Sequence, residues 1–243
     1  MIRLARRRLK RAISACQYLG RRCRLQLFGQ SALGQNTKIF CIGRNKTGTT
    51  SLQTFFSQAG FRVAPQVAGE KLIYSCGFEP DDRFWQWVDS YEVFQDAPFS
   101  WTWFIPELIQ RYPDARFILS VRDGDDWFES LMNHQFEHLG LPTTASNEAI
   151  IERMKADTYV APGYFYAAYV KQHGEPGSEP MYQREKMVST THHHNEEAQR
   201  LIPSDQLLTL DLSEQTTTDL LCDFIGLPTR FKGPMPKANV RRS

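Results

Sequence analysis

A chain of 243 residues, 41% hydrophobic and 12% aromatic, has apolar material for one α/β domain or two small ones. Its net charge of +2 is unevenly spread: residues 1–37 hold nine Arg or Lys and no acid, leaving 20 bases against 27 acids, net −7, in the rest. A body of that sign is not expected to bind nucleic acid. The five cysteines (Cys16, Cys23, Cys41, Cys76 and Cys222) form no C-x-x-C pair, which excludes a disulfide framework or zinc site as the organising principle and points to a reducing, cytoplasmic setting.

In the basic arm, residues 1–36, Ile2, Ala5, Leu9, Ile13 and Cys16 recur at helical spacing while Arg3, Arg6, Arg7, Lys10 and Arg11 fill the other faces. The pattern predicts a basic amphipathic helix, either solvated or docked on the rest of the chain, or lying through residues 1–24 on an anionic membrane surface, or acting as a transit-type segment. No apolar run reaches the roughly 18 residues of a membrane span, and no secretory signal is expected.

From Thr37 onward, short apolar runs alternate with helical patterns, as in a parallel sheet covered on both faces. Residues 38–43, 61–64, 92–96, 116–122 and 206–212 read as strands. Helices are predicted for "TTSLQTFFSQAG", ending at Gly60, for "SWTWFIPELIQRY" despite Pro106, and for "DDWFESLMNHQFEHLG", closed by Gly140. Residues 141–205 interrupt this rhythm with two helix-like stretches, about 146–171 and 180–201, an insert suited either to substrate contact or to completing the core. One α/β domain over residues 37–243 is the expected organisation.

The first strand runs into "GRNKTGTTSL". Gly43 and Gly48 have the spacing of an ATP-binding loop, but Thr49 stands where that motif needs lysine, and Lys46 lies inside the loop. Strand, glycine-rich turn and helix place backbone N–H groups at a helix N-terminus, where an anion is favoured. The hydroxyls of Thr47, Thr49, Thr50 and Ser51 add donors. Further on, Arg122 ends a strand and Ser130 follows eight residues later on the next helix, a pair that can converge on a second anion.

The K-T-G-T-T-S-L loop resembles the 5′-phosphosulfate loop of sulfotransferases that use 3′-phosphoadenosine 5′-phosphosulfate (PAPS). Arg122, Asp123 and Ser130 resemble that family's 3′-phosphate motif, and "DQLLTLDLSEQTTTDLLCDFIGLP" resembles its last strand and helix. The resemblance implies a three-layer, P-loop-like α/β fold that releases 3′,5′-adenosine bisphosphate and requires no metal. It assigns the 5′-phosphosulfate to Arg44, Asn45, Lys46, Thr47, Gly48, Thr49, Thr50 and Ser51, and the 3′-phosphate to Arg122 and Ser130.

Two departures are a linker "EQTTT" where relatives carry Gly-Trp, and the lack of an R-K-G-x-x-G segment, for which Arg241 and Arg242 are possible substitutes. Lys46 is implied to meet charge on the leaving bisphosphate. The family's base position falls on Asp96, in "VFQDAPFSW"; the alternative for Asp96 is a helix N-cap. An ordinary aspartate, with a pKa of about 3.9, needs burial to become an effective base. His134, His138, His192, His193 and His194 are read as surface or substrate-edge groups without a metal role, and Trp85, Trp87, Trp101 and Trp103 mainly as core. The acceptor is a hydroxyl or amine of a small molecule, lipid, glycan or protein, and the oligomeric state is left open. The rival readings are a nucleotide-dependent kinase, with Thr50 and Asp123 on magnesium, and a non-catalytic nucleotide-binding or membrane-docking module.

Overall fold

In the computed structural model, which describes residues 37–214 and 216–236, four apolar runs become strands: β1 (Ile39–Cys41), β2 (Val93–Gln95), β3 (Arg116–Val121) and β4 (Leu207–Asp211). All pair in parallel in the order β2-β1-β3-β4. Alternation along the strands sorts their side chains into two layers of core. Phe40, Ile42, Phe94, Phe117 and Leu119 pack on one face, where Phe40 lies 5.0 Å from Phe94 and 5.6 Å from Phe117 between ring centroids. Ile39, Cys41, Val93, Ile118 and Leu210 pack on the other.

Helices α1 (Thr49–Ala59) and α9 (Thr217–Ile225) cover the second face. The first is covered by α2 (Gln66–Ser75), α3 (Asp82–Asp89), α4 (Ile105–Arg111) and α8 (Arg184–Leu201). A third cluster joins α5 (Gly124–Leu139), α6 (Asn147–Ala156) and α7 (Tyr164–His173) through Trp127, Phe136, Met154 and Tyr169. The result is the expected three-layer α/β fold. Pro106 is tolerated because it falls in the first turn of α4, where no intrahelical N–H bond is lost.

Several expectations change. Residues 61–64 contribute only an isolated bridge, Val63 to Val93, rather than a strand. The stretch 146–171 is two helices, not one, because the chain turns between Asp157 and Gly163, where Pro162 lacks an N–H and Gly163 takes φ 78°. Helices α2 and α3 were not expected at all. The arm, residues 1–36, and Arg241 and Arg242 lie outside the described residues. Among the described residues no helix is long and apolar enough to cross a membrane.

His194 is also reassigned, from the surface to the core. Its Nε2 donates to the Ile42 carbonyl at 2.8 Å and its Nδ1 pairs with the Thr102 hydroxyl at 2.9 Å, tying α8 to the end of β1. Burial, aided by the Arg44 charge, lowers its pKa to about 4, so the ring is neutral. Between about 4 and its ordinary value of 6.5 the unfolded chain binds the extra proton, so this residue's contribution falls as pH drops through that window. Replacing His194 by alanine should cost about 1–3 kcal/mol, the penalty for stranding buried polar partners, read from denaturant unfolding at pH 7. The same variant should lose part of the wild-type acid sensitivity.

Candidate active site

The loop after β1 owes its path to close packing. A Cβ at Gly43 would overlap the Ser120 side chain on β3, and Gly48, with φ 98°, caps α1 from a conformation that side chains disfavour. Gly48 offers no capping side chain; its carbonyl takes the Ser51 and Leu52 amides at 2.9 and 3.2 Å, and the N-terminal end of α1 borders the cavity, where its dipole favours an anion. Lys46 holds the left-handed region at φ 69°, as does Asp96 at φ 61°, so two non-glycine residues of this site share an unfavourable backbone conformation.

The loop is fastened from both sides. Trp127 Nε1 donates to the Asn45 carbonyl at 2.8 Å, and Arg122 Nη1 reaches the Lys46 carbonyl at 3.5 Å. Thr47 departs from its expected role as an anion donor. Its hydroxyl donates to the Arg44 carbonyl at 2.6 Å and lies 2.7 Å from Ser120 Oγ, buried beneath the loop. The other assigned loop residues, Arg44, Asn45, Lys46, Gly48, Thr49, Thr50 and Ser51, line a cavity of about 580 Å³.

Arg122, Ser130 and Asp96 line that same cavity, so the two anion motifs open into one space at the C-terminal edge of the sheet. This follows from the strand order: β1 lies between β2 and β3, which brings the loop beside both Asp96 and Arg122. Asp96 is no helix cap. Its Oδ2 accepts from Thr49 Oγ1 at 3.3 Å and its Oδ1 from the Ala97 amide at 2.9 Å. Burial raises its pKa, while those two donors and the charges of Arg44 and Lys46 pull the other way.

Residues 38–243 match the sulfotransferase domain. The chain belongs to this sulfotransferase family. Comparison with individually curated proteins gives no match.

Sequence reasoning missed a second carboxylate in this sulfotransferase's cavity. Glu70, on α2, is 6% exposed; its Oε1 accepts from Gln66 Nε2 at 3.2 Å, and Gln66 in turn accepts from Gln95 Nε2 at 3.2 Å. Glu70 Oε2 is buried and makes no hydrogen bond of normal length and angle, with the Tyr164 hydroxyl interacting more loosely with the carboxyl. Burial, reinforced by the Asp96 charge, pushes the Glu70 pKa up to about 7. The available signal was an acid within the apolar stripe of "QVAGEKLIYS", one turn before buried Ile73.

The histidines separate by environment. His134 lines the cavity, its pKa lowered by burial and the Lys46 charge; His138 lines it too, pairing with Asp157 Oδ2 at 2.8 Å. His173, also unexpected, lies in the wall near Arg44, with burial taking its pKa down to about 4. His192 and His193 are exposed. Trp85 and Trp101 are both buried core, as expected, Trp101 also bordering the cavity, where Tyr164 and Phe165 extend the aromatic surface. Arg44, 8% exposed, donates through Nη1 to Gln172 Oε1 at 3.0 Å, while its Nε has no hydrogen-bond partner. Asp123 Oδ1 caps α5 by accepting from the Asp125 and Asp126 amides at 3.0 and 3.1 Å, a different duty from the one the kinase reading gave it. Among the described residues no three His, Cys, Asp or Glu side chains cluster as a metal site.

Proposed function

We propose that this sulfotransferase takes PAPS as donor and transfers its sulfuryl group to a hydroxyl or amine by in-line displacement. The observation that carries the reading is the opening of both anion motifs into one cavity that also contains two carboxyls. The residues present fit such a donor: the N-terminus of α1, which no side chain caps, together with Thr49, Thr50 and Ser51 suits the 5′-phosphosulfate, and Arg122 with Ser130 suits the 3′-phosphate. Arg44 and Asn45 shape the loop's cavity side, and Thr47 supports it from beneath.

Lys46 stabilises the negative charge that collects on the departing phosphate oxygen. A carboxyl on the opposite side of the loop, Asp96 or Glu70, receives the acceptor's proton. Trp101, Tyr164 and Phe165 give the acceptor an aromatic wall, suited to a molecule with apolar or ring surface beside its nucleophile. Action in the cytoplasm, with residues 1–24 resting on a membrane surface, is the accompanying reading of cysteine usage and arm charge.

Calorimetry without magnesium tests the donor. Tight binding of 3′,5′-adenosine bisphosphate and weak binding of ADP is the expected result. Equal affinity, or ADP binding that needs magnesium, favours the kinase and rejects this reading. Tight bisphosphate binding without transfer to any acceptor in a screen with labelled PAPS favours the non-catalytic module.

A further inference from the structure

We propose that Glu70 on α2, not Asp96, accepts the acceptor's proton during transfer, and that Asp96 is a positioning residue. This rests on the sulfotransferase reading and assigns the proton within it. Both oxygens of Asp96 are engaged, by Thr49 and Ala97, on a short side chain whose backbone is fixed in the left-handed region. Burial raises the Asp96 pKa, but its two hydrogen bonds and the charges of Arg44 and Lys46 oppose that rise, and no such cations oppose it at Glu70.

Glu70 has the complementary arrangement. Gln66 holds one oxygen and is itself held by Gln95 of β2, so the carboxyl is anchored to the sheet. The other oxygen is buried and makes no hydrogen bond of normal length and angle; only the Tyr164 hydroxyl acts on the carboxyl as a looser donor, which the acceptor's O–H or N–H would replace. The groups acting on Glu70 are Asp96, after β2, Tyr164 on α7, and Gln66 on its own helix; α3 brings the apolar Trp87 against the same helix at Gly69. No cation is among those groups, and burial beside a second carboxyl holds Glu70 near neutrality, where a base combines availability with strength.

The acceptor's proton passes to the Glu70 carboxylate, the acceptor oxygen or nitrogen forms its bond to sulfur, and the sulfur–oxygen bond to the phosphate breaks with its electron pair on the bisphosphate. Glu70 then gives the proton to solvent before the next turnover.

The test uses the full chain as wild type, Glu70→Gln, Glu70→Asp, Asp96→Asn and His134→Gln. Difference infrared titration of the unliganded protein should show a carboxyl band with a midpoint near 7 that Glu70→Gln removes and Asp96→Asn moves to lower pH. Absence of that band, or its survival in Glu70→Gln, overturns the proposal whether or not turnover is seen.

Bisphosphate release from PAPS, with water and phenols of graded acidity as acceptor probes, should rise with pH about the same midpoint. Glu70→Gln should flatten that rise and lower the rate about 10²-fold, less for the most acidic phenol, which needs little base. Glu70→Asp should restore part of the rise. A rise retained in Glu70→Gln but lost in Asp96→Asn or His134→Gln assigns the proton elsewhere and overturns the proposal. Bisphosphate affinity should stay within about twofold in Glu70→Gln, since the substitution keeps the size of the side chain and Glu70 is assigned no phosphate contact. Failure of wild type to bind the bisphosphate instead removes the sulfotransferase reading itself.

Discussion

Replacing Lys46 by alanine is expected to lower kcat by about 10²–10³-fold, the typical effect of deleting one group aimed at developing charge. Lys46 holds φ 69°, a conformation that alanine tolerates no worse than lysine because both carry a Cβ, so the substitution adds no new loop strain. The loop's other supports, Trp127 on the Asn45 carbonyl and Thr47 on Ser120, are untouched. What is lost is a charge that reaches both Asp96 and His134, the two sides of the transfer region. Because negative charge on the leaving oxygen grows only as the bond to sulfur breaks, kcat and kcat/KM should fall together, with KM for PAPS nearly unchanged. A rise in KM with kcat preserved would make Lys46 a ground-state phosphate contact and remove it from the chemistry.

How far the site was legible depends on how local its cause is. The loop could be read because glycine spacing, hydroxyls and the change from strand to helix lie within a few adjacent residues. Arg122 and Ser130 could be read because a strand end and the next helix bring an eight-residue spacing together without help from the rest of the fold. Glu70 could not. Its meaning depends on α2 folding over β2 and meeting Tyr164 from the insert, and α2 itself gives weak signals: Pro65 at its N-cap makes no side-chain bond and Gly69 sits inside it.

Thr47 illustrates the opposite failure. Four neighbouring hydroxyls look alike in the sequence, and only the close approach of Gly43 to Ser120 turns Thr47 inward. His194 was legible in principle, since Met187, Thr191, His194 and Ala198 form one buried stripe at helical spacing, while His192 and His193 fall outside it. The same periodicity would have separated the core histidine from its exposed neighbours.

Replacing Arg122 by alanine is expected to weaken 3′,5′-adenosine bisphosphate binding by roughly 10- to 100-fold while leaving ADP binding close to wild type. A hydrogen bond to a charged partner contributes about 1.5–3 kcal/mol. Arg122 is exposed, so solvent and salt screen it toward the lower end, and the loss should be largest at low ionic strength. Ser130→Ala removes a neutral donor worth about 0.5–1.5 kcal/mol and should cost about 2- to 10-fold. The contrast between ligands isolates the site, because ADP has phosphate only on the 5′ side, where the loop after β1 is unchanged. Arg122 also reaches the Lys46 carbonyl, so its removal could loosen the loop; that would weaken ADP as well and expose itself in the same calorimetry. Selective loss of the bisphosphate, with ADP as the internal control, therefore assigns the 3′-phosphate to the end of β3. An equal loss for both ligands would make Arg122 a support for the loop and leave the second anion position to other residues.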